Sequence, residues 1–139
     1  MIDIQNQTNK DYNTTIIEQI TNSLTNKDIE LVITYNDSIQ KINREYRNID
    51  KPTDVLSFPY TEAPFVPLGS IVISADFVEQ KAKELGHSEQ DEFTLLYIHG
   101  LLHVMGYDHE IDNGEMRQKE AAIIQKYNLP ESLIVRTEK

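Results

Sequence analysis

A chain of 139 residues, 39% hydrophobic and 26% charged, is long enough to bury one sizeable core and reads as a single domain over 1–139. The absence of cysteine excludes disulfides and fits a reducing cytoplasm, and no apolar run is long enough to span a bilayer. A net charge of −10 excludes a surface built for non-specific phosphate binding, so either nucleic acid is not the partner or it is met at a local basic site.

The first residues, Met1-Ile-Asp-Ile-Gln-Asn6, lack the basic start and apolar centre of a signal peptide, which makes the cytoplasm the expected location. Ile2 and Ile4 alternate with polar neighbours, a short strand signal. Ile16, Ile17, Ile20 and Leu24 recur at helical spacing and predict an amphipathic helix over about 13–25. Ile29 to Tyr35 is rich in β-branched residues and reads as a strand. Asn36-Asp37-Ser38 then offers a cap for a second, short helix with Ile39, Ile42 and Tyr46 on its apolar face. Pro52 is expected to break that helix.

Val55 to Phe58 is a brief strand closed by Pro59, followed by a proline-rich loop over 59–68. Gly69 to Ser74 is another strand, and its nearness to the previous one permits a hairpin. Ser74 caps a helix that runs through Leu85 and stops at Gly86, where His87 reads as an ordinary capping or exposed histidine. Ser88-Glu-Gln-Asp91 resembles a capping box for the next helix. Asp112-Asn-Gly-Glu115 can start a last helix with Met116, Ala121, Ile123, Ile124 and Tyr127 at apolar positions, ended by Pro130. The expected fold is α+β: a small mixed four-stranded sheet, about five helices, and a central buried helix that carries the histidines.

That helix holds the chemistry. Three of the four histidines fall in His99-Gly-Leu-Leu-His103-Val-Met-Gly-Tyr-Asp-His109. At about 100° per residue, His99 and His103 stand one turn apart on one face, where two imidazoles can grip one metal ion. Gly106 stops the helix and lets the chain turn, so that His109 can return as a third ligand. Leu95, Leu96, Ile98, Leu101, Leu102, Val104 and Met105 cover the helix almost all round, and a buried imidazole without a partner costs a few kcal/mol, roughly. A closed structural zinc site takes four protein ligands, often cysteines. Three histidines with an open position describe a catalytic site better.

Zinc peptidases use H-E-x-x-H, with the Glu as general base. Gly100 occupies that place here. The proton of a metal-bound water must therefore go to Asp108, to a carboxylate on another element, or to the substrate itself. This argues against peptide hydrolysis and is tolerable for phosphoryl chemistry, where RNA brings its own 2′-hydroxyl.

The His99–His109 motif resembles the signature of the YbeY family of bacterial endoribonucleases. Asn43, Tyr46, Arg47, Asp50 and Pro52-Thr-Asp-Val-Leu-Ser-Phe-Pro59 agree with it, as does Gly69-Ser-Ile-Val-Ile-Ser74, apart from Ser70 where the family has Asp. The resemblance spans roughly residues 40–116. It implies a single-strand-specific, metal-dependent endoribonuclease of ribosomal RNA maturation, notably at the 16S rRNA 3′ end, and of ribosome quality control. It also implies Zn2+ on His99, His103 and His109, Arg47 as the main functional residue besides the ligands, and partners in the small ribosomal subunit and its assembly factors.

The residues say something about Arg47 as well. Lys41, Arg44, Arg47 and Lys51 outnumber Glu45 and Asp50, which leaves this stretch locally positive on an acidic body. A planar guanidinium fork suits phosphate binding and transition-state charge. Asp108 is either a turn residue or a carboxylate that orients a histidine. Asp54 and Ser57 are expected to shape the loop, with a substrate contact open to them. Two rival readings stand beside the nuclease: a peptidase-like hydrolase, disfavoured by Gly100, and a non-catalytic ribosome assembly factor with a structural metal.

Overall fold

The computed structural model describes residues 1–61, 63–108 and 110–130. The strands stand at the expected positions: β1 (Ile2–Asn6), β2 (Ile29–Thr34), β3 (Val55–Pro59) and β4 (Gly69–Ser74). They form one sheet in the order β1-β2-β4-β3. β1 runs parallel to β2 and β2 to β4, while β3 pairs antiparallel with β4, so the sheet is mixed and the hairpin forms. The helices are α1 (Thr15–Leu24), α2 (Asn36–Arg47), α3 (Ala75–Leu85), α4 (Glu89–Val104) and α5 (Glu115–Lys126), which completes the expected α+β architecture.

The pleat divides the interior in two. Leu31, Ile33, Ile71 and Ile73 point to the face covered by α1, α3 and α4, where the main core lies. Val72 and Leu56 point to the other face and meet Ile39 of α2 in a smaller cluster. The histidine helix α4 is central, as its sequence predicts: Phe93, Leu96, Tyr97, Ile98, Leu101 and Leu102 are all buried. A helix apolar on every side has to be enclosed by other elements. Here those elements are the sheet, α1, α3 and α5.

One buried polar contact ties α4 to α1. The Thr21 hydroxyl donates to the Ile17 carbonyl at 2.7 Å and therefore accepts from the Tyr97 hydroxyl, also at 2.7 Å. Burial pushes the Tyr97 phenol well above its ordinary pKa, so it remains a donor.

Several helix ends differ from expectation, each for a local reason. No side chain of the Asn36-Asp-Ser segment caps α2. Instead the Asn36 amide donates to Asp76 Oδ2 of α3 at 2.8 Å, and Asn36 Oδ1 accepts from Ser74 Oγ at 2.7 Å. That helix stops at Asn48, left-handed with φ 58°, before Pro52 can act. Tyr46, expected on the apolar face, is 71% exposed and rests edge-on against Phe58. The last helix likewise ends before Pro130, because Asn128 is left-handed with φ 55°. The caps at Ser74 and Ser88 form as expected, each hydroxyl accepting an amide of the first turn.

Candidate functional site

Two side chains of α4 emerge from the core toward a cleft. His99 and His103 stand one turn apart, and their Nε2 atoms face each other at 3.1 Å with the rings nearly perpendicular. What lies behind each ring sets its chemistry. His99 Nδ1 is 2.9 Å from Glu120 Oε1 on α5, and His103 Nδ1 is 3.0 Å from the Tyr107 carbonyl. Both neighbours are oxygen acceptors, so in the neutral rings the hydrogen sits on Nδ1 and the Nε2 lone pairs converge. Two converging lone pairs repel unless a cation lies between them. Nitrogens bound to one tetrahedral zinc at about 2.0–2.1 Å stand about 3.3 Å apart, so the observed spacing fits a shared divalent ion.

The turn after α4 supplies the Tyr107 carbonyl. Gly106 has φ 104°, a conformation that side chains rarely adopt, and the Tyr107 amide returns to the Leu102 carbonyl at 3.0 Å. His109, the expected third ligand, lies outside the described residues. Among those residues, no three His, Cys, Asp or Glu side chains form a group able to hold a metal.

A cavity of about 450 Å³ opens over the histidines, lined by Arg47, Asp54 and Ser57 from the sheet side and by Tyr107, Asp108 and Glu110 from the turn. Arg47 comes from the end of α2, and its Nη2 lies 3.4 Å from the Ser57 carbonyl of the edge strand β3. The half-turn after it is held by Asn43, buried, whose amide nitrogen donates to the Lys51 carbonyl at 2.9 Å. Asp54 Oδ1 accepts from the Val55 amide at 2.8 Å, which fixes this carboxyl at the cavity wall. Sequence blocks far apart in the chain thus meet in one cleft.

Asp108 also lines the cleft. Its Oδ1 accepts the Glu110 amide at 3.0 Å, which is the turn-forming role. The carboxylate that orients His99 is Glu120, a residue the sequence reading missed. A signal for it existed: Glu120 falls at helical spacing within the stripe Met116, Ile123, Ile124 and Tyr127, and is buried with the first three. A charged side chain on an apolar face needs a reason. His87 requires a correction too. Its side chain is only 4% exposed, with Nε2 2.7 Å from Oε1 of the fully buried Glu92, so it ties the α3–α4 corner to the start of α4 and does not face solvent.

Gly100 has a structural reason. A Cβ there would stand 2.8 Å from Ile71 Cγ2, 3.2 Å from Val55 Cγ2 and 3.3 Å from Ser57 Oγ. The residue after His99 points into the sheet, not into the cleft. A peptidase glutamate at this place has neither room nor direction.

Fold and cleft together define an α+β protein with a paired-histidine centre on a buried helix and an arginine lining the same open cavity. A family model described as "Endoribonuclease YbeY" matches residues 2–128. The chain belongs to that family. It is 61% identical over 138 residues to the endoribonuclease YbeY of Sulfurimonas denitrificans, with 99% of both chains covered. It is 62% identical to that of Aliarcobacter butzleri, covering 98% of this chain and 99% of the relative. It also resembles a Thermotoga maritima protein solved in solution, with TM-score 0.62 and 26% identity over 99% of this chain and 92% of the other.

Proposed function

We propose that this chain is a single-strand-specific, metal-dependent endoribonuclease of ribosomal RNA processing, acting at the 16S rRNA 3′ end and in ribosome quality control. The observation that carries the metal half is the 3.1 Å approach of His99 Nε2 and His103 Nε2, each ring held from behind by an oxygen acceptor. His99, His103 and His109 would hold Zn2+. When bound, such an ion lowers the pKa of coordinated water and neutralises charge on a phosphoryl oxygen.

The chain's own residues supply the rest. Arg47, in the lining of the same cleft, binds a phosphate of the strand and stabilises the charge that builds on it. Asp108 lines the same cleft and can accept a proton from the attacking oxygen, with Asp54 and Glu110 as further carboxylates in its lining. The small ribosomal subunit and its assembly factors are the proposed partners, and they answer the difficulty set by a net charge of −10. A body this acidic needs a partner or a confined basic patch to meet RNA.

The test pairs metal analysis with two substrates. Wild type and His103→Ala are incubated with a single-stranded RNA and with an unstructured peptide. RNA cleavage that disappears in a folded variant, together with its metal, is the expected outcome. Peptide cleavage, or RNA cleavage that survives the substitution, sinks the proposal. A wild type that holds metal, cuts nothing and unfolds when His103 is replaced points instead to a structural ion.

A further inference from the structure

The carboxylate behind His99 comes from the last helix, and its setting is unusual. The Glu120 side chain is 3% exposed, and its Oε1 lies 2.9 Å from His99 Nδ1. Its other oxygen, Oε2, is buried without a hydrogen-bond partner among the described residues. The neighbours on its own helix face are Met116, Ile123 and Ile124, all apolar and buried. Burying a carboxylate among such residues costs several kcal/mol, roughly, unless its interactions offset the lost hydration. A helix needed only for packing would carry Leu or Met at this position.

What Glu120 does is visible from the ring it faces. An imidazole can carry its hydrogen on either nitrogen. A carboxylate oxygen at Nδ1 favours the tautomer with hydrogen on Nδ1 and turns the Nε2 lone pair toward His103 and the cleft. His99 is 30% exposed, so burial alone does not fix its ring, and Glu120 is the acceptor at its Nδ1. His103, in contrast, is oriented by a backbone carbonyl that no side-chain substitution removes.

We propose that Glu120 is a positioning residue for the metal centre: it locks the tautomer and rotation of His99 and thereby sets the affinity for a divalent cation, without touching the cation or the RNA. The inference rests on the proposed metal reading of His99 and His103. It deepens that reading by making α5 a working part of the site.

The experiment uses the full chain and zinc itself as the probe. Zinc affinity is measured by competition with a chromophoric chelator, and the His99 tautomer by long-range 1H–15N correlation in metal-free protein. Wild type should show the Nδ1–H form. Glu120→Ala should populate both tautomers and lose about 10–100-fold in zinc affinity. Glu120→Gln, which keeps an oxygen acceptor, should restore the Nδ1–H form and most of the affinity. Binding of single-stranded RNA to the metal-free proteins should not change.

If Glu120→Ala does not fold, Glu120→Asp takes its place, because the shorter side chain withdraws the acceptor while keeping the charge. A folded Ala or Asp variant with wild-type zinc affinity and tautomer overturns the inference, and so does a wild type in the Nε2–H form. A wild type that takes up no zinc at all sinks the metal reading itself. One that loads zinc, with variants that load it equally well, sinks only the role of Glu120.

Discussion

Arg47 stands at the end of α2, with its guanidinium at the backbone of the edge strand, in the lining of the cleft that also holds two imidazoles. A group so placed can bind a phosphate without helping to bind a metal. Arg47→Ala should therefore lower the cleavage rate on the order of 10²–10³-fold while zinc per chain stays at the wild-type level. Arg47→Glu should abolish cleavage, and either variant cutting at the wild-type rate refutes the role. Thr21 and Tyr97 allow a sharper comparison, because their hydrogen bonds run in one direction. Tyr97→Phe removes a donor and leaves Thr21 still bonded to Ile17, a loss of about 1 kcal/mol. Thr21→Val strands the buried Tyr97 hydroxyl and should cost about 1–3 kcal/mol more than an equal-volume swap without that effect. Urea midpoints should fall further for the Thr21 variant.

On the scale of elements, the crossing of α4 over the sheet decides what the helix can do. Gly100 sits where the helix touches Ile71 and Val55, and the absence of a Cβ allows the close approach. Alanine in a helix interior is favoured over glycine by about 1 kcal/mol. Against this, overpacking a buried contact costs about 1–3 kcal/mol. Ile71 is fully buried and has little freedom to yield, so overpacking should win. Gly100→Ala is expected to lower the melting temperature and to weaken zinc binding, since His99 is the adjacent residue. An alanine variant more stable than wild type would show that the helix can lift off the sheet without cost. Gly100→Glu should not fold at all, which separates this site from the peptidases by packing as well as by chemistry.

For the whole molecule, net charge and the proposed metal each make a prediction. With net charge −10, RNA affinity that depends on Arg47 and its basic neighbours should show a shallow salt dependence, shallower still after Arg47→Ala. A steep slope kept by the alanine variant would place the RNA elsewhere on the surface. The histidine centre joins the buried helix to the turn that follows it and, through Glu120, to α5. An ion bound only by the folded chain stabilises it by about 2.7 kcal/mol at one hundred times its dissociation constant. For a chain of this size that is roughly 10 °C in melting temperature. Calorimetry with and without a chelator measures it, and coincident transitions would show that the ion contributes nothing to the fold. No described helix is long and apolar enough to cross a membrane.

The sequence by itself determined the elements and their order. β-branched runs and alternation marked three strands, a short run closed by Pro59 marked the fourth, and the apolar girth of α4 marked it as the buried helix, because each depends on local periodicity and on how much surface must leave water. The i, i+4 spacing of His99 and His103 likewise placed two rings on one face through helix geometry alone. Only the tertiary structure decided what stands behind those rings and across from them. Glu120 lies 21 residues from His99, the Asn36 cap comes from α3, and His87 is buried by Glu92. The first two contacts arise when distant segments pack, and no short window of sequence contains both partners; His87 and Glu92 are five residues apart, and only the fold shows that both are buried. Gly100 shows the difference in one residue: the sequence revealed which side chain was missing, and the sheet beneath the helix revealed why none fits.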